Sequence, residues 1–129
     1  MLISTLIAIY LSTYQIEPKT SVMSVYERTE QVIEPIEETF EQVIERVGKE
    51  EGLQDWEIER FKKIAWCESR YNPRAVSRTG DFGILQLNDY YWDFDHDKVF
   101  DPEYNVRYAI QKIYARQGFN AWVCNRLID

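Results

Sequence analysis

The chain has 129 residues, 45% hydrophobic and 15% aromatic, which is enough for one packed domain and rules out disorder throughout. The formal net charge is -7: residues 1–52 carry four Lys or Arg against ten Glu, and residues 53–129 carry eleven basic against twelve acidic side chains. No basic stripe offsets this acidic balance, so nucleic acid is not an expected partner.

The first 16 residues, MLISTLIAIYLSTYQI, carry no charge and have the texture of the apolar core of a secretory signal peptide. No Lys or Arg precedes the run, no clear Ala-x-Ala site follows it, and it is shorter than the roughly 20 residues of a spanning helix. We predict a signal peptide or signal anchor over residues 1–16, which would export the protein or anchor it to a membrane. A buried N-terminal segment is the alternative.

Apolar residues recur every three or four positions along the glutamate-rich segment 17–52, the pattern of a helix with one apolar stripe. They include Val22, Tyr26, Ile33, Ile36, Phe40, Val43 and Val47. Pro35 interrupts the pattern and predicts two shorter helices. We predict an acidic helical stalk that packs its stripe on the domain or on a second copy of the chain; a specific partner helix is the alternative. Gly48 and Gly52 mark the boundary with the domain over residues 53–129.

A helix is predicted to begin with Asp55 as its N-cap and to end near Tyr71, because Asn72 precedes a proline and is disfavoured in helical geometry. Apolar residues three and four apart place Glu68 on the buried face, in the last turn. Apolar neighbours and the negative end of the helix dipole both favour a protonated carboxyl there. A general acid requires such a carboxyl near neutral pH. The alternative is a helix-end glutamate bonded to the neighbouring loop.

Residues 80–88, GDFGILQLN, predict a turn followed by a short strand. After Gly83, a period of two places Ile84, Gln86 and Asn88 on one face, where Gln86 would point to a polar cleft or to solvent. Asp81 beside Gly80 is either a second carboxylate of an active site or an ordinary turn residue.

Cys67 and Cys124 are the two cysteines of the chain. In an exported domain of this size they are expected to form a disulfide, whereas in the cytosol they would be two small core residues.

Several aromatic residues have flat faces that suit sugar rings, and each tryptophan fits a core position equally well. The candidates are Tyr91, Trp92 and Trp122. Asp93, Asp95 and Asp97 have the spacing of calcium-loop ligands, but Lys98 occupies the position of the required glycine. We therefore predict neither a metal site nor a cofactor.

The stretches ESRYNPRAVS, from Glu68, and GDFGILQLN resemble the lysozyme-like superfamily, in particular the transglycosylase SLT domain of bacteria and phages. The second stretch is also similar to the strand of animal-type lysozymes that begins with their second catalytic carboxylate. The resemblance extends from about residue 55 to 124. It implies a mainly α, α+β lysozyme-like fold: a small helical domain with a short β element beside the cleft.

The resemblance assigns the general acid to Glu68 and the second carboxylate to Asp81. The helix DPEYNVRYAIQKIYARQG is similar to a later helix of SLT domains, which implies that it contributes residues to the cleft. Asn105 and Tyr108 are the candidates on this helix. The full set of predicted substrate-binding residues is Ser69, Gln86, Tyr91, Trp92, Asn105, Tyr108 and Trp122.

This resemblance implies cleavage of the β-1,4 bond between N-acetylmuramic acid and N-acetylglucosamine in the glycan strands of peptidoglycan. The protein would be a lytic transglycosylase or a lysozyme with Glu68 as its single general acid. It would act in the cell envelope, or be phage-encoded and act on the envelope. Such cleavage requires an acid for the leaving oxygen and a group that stabilises positive charge on the sugar. The alternative is a non-catalytic glycan-binding or virion module on the same fold.

Overall fold

The computed structural model describes residues 36–129. Within it, Glu37–Asp129 form one compact unit, mainly helical with a two-stranded antiparallel sheet, which confirms the predicted fold class. The predicted signal segment and residues 17–35 of the predicted stalk lie outside the described residues. No helix of the described part combines the length and the apolar character needed to cross a bilayer.

The first described helix, α1 (Phe40–Glu50), begins with a capping box. The Thr39 hydroxyl accepts from the Gln42 N–H at 3.3 Å, and the Gln42 side chain accepts from the Thr39 N–H at 2.8 Å. One face of α1 is buried in the core, through Val43, Ile44 and Val47. The sequence placed this segment in the stalk, with a boundary at residue 52, whereas its buried face makes α1 part of the domain.

Helix α2 (Asp55–Ser69) contributes a large share of the core. Its N-cap is Gln54, one residue before the predicted cap, and the Glu57 carboxylate accepts from the Gln54 N–H at 2.6 Å. The helix ends at Ser69, and Arg70 adopts a left-handed conformation with φ 55°, close to the predicted end. Its buried residues are Ile58, Phe61, Ile64 and Ala65.

A hairpin follows, in which β1 (Asp81–Phe82) pairs with β2 (Leu87–Asn88). The prediction of a strand running from Gly83 through Gln86 is wrong, because residues 83–86 form the reversal between the two strands. Gly83 and Gln86 have φ of 76° and 49°, and the Gln86 N–H donates to the Gly83 carbonyl at 3.1 Å. Both Ile84 and Leu85 are buried, so the alternation expected of a half-buried strand does not exist there.

The C-terminal part is a run of helical segments: α3 (Pro102–Tyr108), a π-helical segment (Ala109–Tyr114) and α4 (Ala115–Gln117), then two 3-10 segments, Gly118–Ala121 and Val123–Arg126. Phe61 of α2 contacts this part edge-to-face. Its ring centroid lies 5.0 to 5.5 Å from those of Tyr114, Phe119 and Trp122. This aromatic cluster holds the C-terminal segments against α2.

Candidate active site

Glu68 lies in the last turn of α2 and is half-buried. Its Oε1 accepts a hydrogen bond from the Cys124 backbone N–H at 3.3 Å. Burial raises the pKa of Glu68 above its ordinary value; the Cys124 N–H opposes the rise, and the charge of Asp81 adds to it. The environment therefore favours the protonated carboxyl, in agreement with the sequence-based expectation.

A disulfide joins the residue before Glu68 to the C-terminal segment. Cys67 and Cys124 have their Cα atoms 5.9 Å apart, and the bond between them confirms the predicted pairing. The last turn of α2 is thereby tied covalently to the 3-10 segment Val123–Arg126.

Asp81 begins β1, and hydrogen-bond donors surround its carboxylate. Oδ2 accepts from the hydroxyls of Ser77 and Thr79, and Oδ1 accepts from Asn88 Nδ2 at 2.8 Å. Burial would raise the pKa of Asp81, but these three hydrogen bonds outweigh it and lower the pKa below its ordinary value. The surroundings of Asp81 therefore favour its ionised form, whereas those of Glu68 favour its protonated form.

A cleft of about 340 Å³ lies between the hairpin and the C-terminal segments. Among the predicted site residues, five line it: Asp81, Gln86, Tyr91, Trp92 and Trp122. Glu68 is not among the lining residues. Its carboxyl accepts from the N–H of Cys124, the residue after the lining residue Val123, and the charge of the lining residue Asp81 acts on it.

Three polar lining residues were absent from the predicted set: Asn88, Gln117 and Asn120. Asn88 lies two positions after Gln86, so the period of two places both residues on the same face. This spacing was the sequence signal that could have identified Asn88 as a lining residue. Gln117 and Asn120 flank Gly118, in a turn whose approach to the hairpin no local pattern indicates.

The three aromatic candidates differ in exposure. Tyr91 is exposed, and Trp92 is partly buried with the Arg116 guanidinium 5.9 Å from its ring centroid. Trp122 is only 4% exposed, and its Nε1 donates to the Leu85 carbonyl at 2.8 Å. Trp122 is therefore mainly a core residue whose edge reaches the cleft, whereas Tyr91 and Trp92 offer ring surface.

Asn105 was predicted to bind substrate, and the structure corrects this: its side chain is 0% exposed. Its Oδ1 accepts from the Leu85 N–H at 3.0 Å, and its Nδ2 donates to the carbonyls of Phe82 and Val99 at 3.1 and 2.9 Å. All of these partners are backbone groups of the hairpin and of the loop that follows it. Asn105 therefore holds the hairpin in place and does not contact a ligand.

Ser69 and Tyr108 also bond to backbone, and neither lines the cleft. The Ser69 hydroxyl donates to the Ile84 carbonyl at 2.8 Å, and the Tyr108 hydroxyl donates to the Asp93 carbonyl at 3.0 Å. Their predicted contact with substrate is thus replaced by a role in fixing the hairpin and the loop after it. Gln86 has both functions, because it lines the cleft and donates to the Gly83 carbonyl at 2.9 Å.

Within residues 36–129, no three His, Cys, Asp or Glu side chains are grouped so that they could hold a metal ion. In the aspartate-rich loop, Asp95 accepts a hydrogen bond from the Asp97 N–H at 2.9 Å, an ordinary local turn contact.

Comparison with known proteins identifies one matching family model and two similar lysozymes. Residues 46–122 match the family model described as the transglycosylase SLT domain. Lysozyme D and lysozyme B of Drosophila melanogaster are each 31% identical over 91 residues, covering 55% of this chain and 64% of each of those proteins. The chain thus spans less than two thirds of the length of these curated relatives. No solved structure matches it.

Proposed function

The chain belongs to the transglycosylase SLT domain family, and on this premise we propose that it cleaves the β-1,4 bond between N-acetylmuramic acid and N-acetylglucosamine in peptidoglycan. The membership confirms the family to which the two sequence stretches pointed. The observation that carries the proposal is a pair of carboxyls beside one cleft whose pKa values are shifted in opposite directions. Such a separation assigns acid and base roles to two groups of the same chemistry.

Glu68 is the general acid in this proposal. Its proton passes to the glycosidic oxygen as the bond from that oxygen to the muramoyl anomeric carbon breaks, and the departing sugar keeps the proton. Positive charge then develops on the muramoyl ring. Asp81, held ionised by its three donors, stabilises that charge electrostatically at low cost, because its environment is already organised before the reaction.

The cation can be captured in two ways, and both return a proton to the Glu68 carboxylate. In a hydrolase, water attacks the anomeric carbon. In a lytic transglycosylase, the muramoyl 6-hydroxyl attacks the same carbon and forms an anhydro ring. Mass spectrometry separates the two products, because the anhydro product is lighter by one water.

The cleft supplies the binding surface for the glycan strand. Tyr91 and Trp92 offer ring faces for the apolar sides of sugar rings, and Gln86 and Asn88 add polar groups at the hairpin side. The N-acetyl sugars of peptidoglycan combine apolar ring faces with amide and hydroxyl groups, which matches this lining.

The test compares Glu68→Gln with Glu59→Gln, which makes the same change at an exposed position of α2. The amide keeps the shape of Glu68 but has no acidic proton, so turbidity loss of purified cell walls should fall on the order of 10⁴-fold. Glu59→Gln should match the wild type. Wild-type activity in folded Glu68→Gln would overturn the assignment. Glycan binding by the wild type with no turbidity loss would instead identify the non-catalytic module.

We also propose action outside the cytosol, at the envelope. The Cys67–Cys124 disulfide supports this proposal, because such bonds persist in oxidising compartments. The signal segment at 1–16, with its membrane anchoring, and self-association through the stalk over residues 17–52 remain predictions. Mass analysis of the mature protein and its sedimentation behaviour would test them.

A further inference from the structure

The 3-10 segment Val123–Arg126 is fastened to α2 at three points. Cys124 is bonded covalently to Cys67, and its N–H donates to Glu68. Arg60 donates from Nε to Asn125 Oδ1 at 2.8 Å and from a terminal nitrogen to the Asn125 carbonyl at 2.7 Å. Apolar packing of Val123 adds little to this attachment, because its side chain is 72% exposed.

From this arrangement we infer that the Cys67–Cys124 disulfide is a positioning device for Glu68: it holds the Cys124 N–H against the carboxyl, so the chain is fully active only when oxidised. The inference rests on the proposed role of Glu68 as general acid. It goes beyond that role because it makes the redox state of a bond outside the cleft a determinant of activity.

The geometry gives the disulfide this influence because both of its ends adjoin the contact. Cys67 precedes Glu68 in the chain, and Cys124 itself supplies the N–H. Reduction by a dithiol transfers two electrons and two protons to the sulfurs, breaks the S–S bond, and converts the reductant into its own disulfide. The segment would then depend on Arg60 and on the weak 3.3 Å contact to the carboxyl.

The groups that act on Glu68 fix the direction of the expected change. Burial raises its pKa, the Cys124 N–H lowers it, and Asp81 on β1, the charged group that acts on Glu68 from the neighbouring hairpin, raises it. Loss of the N–H contact removes the stabilising hydrogen bond of the carboxylate. The Glu68 pKa should therefore rise on reduction.

Nuclear magnetic resonance of the full chain tests the contact itself. In the oxidised protein, the Cys124 amide shift should titrate with the same midpoint as the ¹³C-labelled Glu68 carboxyl. After native reduction with a dithiol, that coupling should disappear and the Glu68 midpoint should move to higher pH. An unchanged or lowered midpoint would overturn the inference.

Activity measurements test whether the contact between Cys124 and Glu68 affects catalysis. Reduction, or Cys67→Ala with Cys124→Ala, should lower cell-wall cleavage about 10- to 100-fold, as expected for a misplaced catalytic group, and should shift the basic limb of the pH profile upward. Ile44→Ala, a core truncation on α1, is the control for lost stability: it should lower the melting temperature and leave the basic limb unmoved. If Ile44→Ala moves the limb equally, the disulfide is merely structural.

Arg60→Gln keeps the disulfide and removes the third attachment, and it serves if the cysteine variants fail to fold. Because the disulfide remains, this variant should leave the Glu68 midpoint close to that of the wild type. A rise as large as that caused by reduction would show that Arg60, and not the disulfide, holds the Cys124 N–H in place, and would overturn the inference. The NMR result does not depend on catalysis. Suppose that the Cys124 amide titrates with Glu68 and that Glu68→Gln is nevertheless active. The proposed function would then be wrong, and the contact between Cys124 and Glu68 would still be supported.

Discussion

Glu68 and Asp81 carry the same functional group, but their different surroundings shift the pKa of that group in opposite directions. Glu68 has a half-buried carboxyl with one backbone donor, so desolvation dominates. Asp81 has three side-chain donors, which outweigh the cost of its burial. The contrast depends on Ser77, Thr79 and Asn88 converging on one carboxylate, an arrangement that only the folded hairpin creates.

The pH dependence of activity should follow from these two shifts. The proposed mechanism requires ionised Asp81 and protonated Glu68. On this mechanism kcat/KM should rise as pH increases through the lowered pKa of Asp81 and fall as pH increases through the raised pKa of Glu68. The acid limb should lie below 3.8 and the basic limb above 4.5, the ordinary values of the two groups. Initial rates on a soluble glycan oligomer measure both limbs. A basic limb below the ordinary value of Glu68 would contradict the assignment.

Replacing Asp81 by Asn should cost activity, but far less than replacing Glu68. The amide oxygen still accepts from Asn88, and the amide group can donate to the Ser77 or Thr79 hydroxyl, so the hairpin should keep its shape. The lost charge should lower kcat on the order of 100-fold. Single-turnover kinetics on cell walls, with circular dichroism as the control for folding, give the comparison. A loss equal to that of Glu68→Gln would indicate that the two carboxyls act as one unit.

At the scale of elements, the sequence predicted features whose signals are local. Pro73 and the spacing of apolar residues located the end of α2 and placed Glu68 in its last turn, and the two cysteines indicated their own pairing. The reversal at residues 83–86 was missed because Gln86 adopts a positive φ that favours glycine, and only tertiary contacts make it tolerable there. Asn105 was misassigned because a polar residue on a helix carries no mark of burial.

The hairpin depends on a glycine at position 83 for reasons of space as well as conformation. A Cβ there would lie 2.3 Å from Asn105 Nδ2 and 2.7 Å from the Val99 carbonyl oxygen, whereas one at Gly52, with a similar φ of 81°, meets nothing within 4 Å. Gly52→Ala should cost about 1–2 kcal/mol of unfolding free energy through conformational strain alone. Gly83→Ala should cost about 3 kcal/mol or more. Equal denaturation midpoints for Gly83→Ala and Gly52→Ala would show that the Asn105 side chain moves aside at little cost in free energy.

Helix α1 provides a test of where the domain begins. Ile44 of α1 is 1% exposed, whereas Ile36, a member of the stripe predicted from sequence, is 90% exposed. Ile44→Ala should reduce the free energy of unfolding by about 2–5 kcal/mol, the range for buried aliphatic truncations. Ile36→Ala should change it by no more than about 0.5 kcal/mol. If the two variants unfold alike in urea, α1 is a stalk outside the domain, as its sequence first indicated.

At the scale of the molecule, the cleft is assembled from parts far apart in the chain. The Leu85 peptide unit is held from two sides, because its N–H donates to Asn105 and its carbonyl accepts from Trp122. The hairpin is thereby fixed to α3 on one side and to the C-terminal segments on the other, and the cleft lies between the hairpin and these C-terminal segments. Glu68 lies on α2 and Asp81 lies on the hairpin, so the arrangement of these two carboxyls depends on the same ties.

The disulfide described above also closes a covalent ring that contains the whole hairpin and α3, since its cysteines are 57 positions apart. A protease that cuts the chain once within this ring, for example in the exposed loop at residues 95–98, leaves two pieces that cannot separate. The nicked protein should migrate at full mass on a non-reducing gel and divide only after reduction. In an environment rich in proteases, a cleaved molecule therefore keeps its C-terminal segment, with Trp122 and Cys124, covalently joined to the piece that carries Glu68 and Asp81.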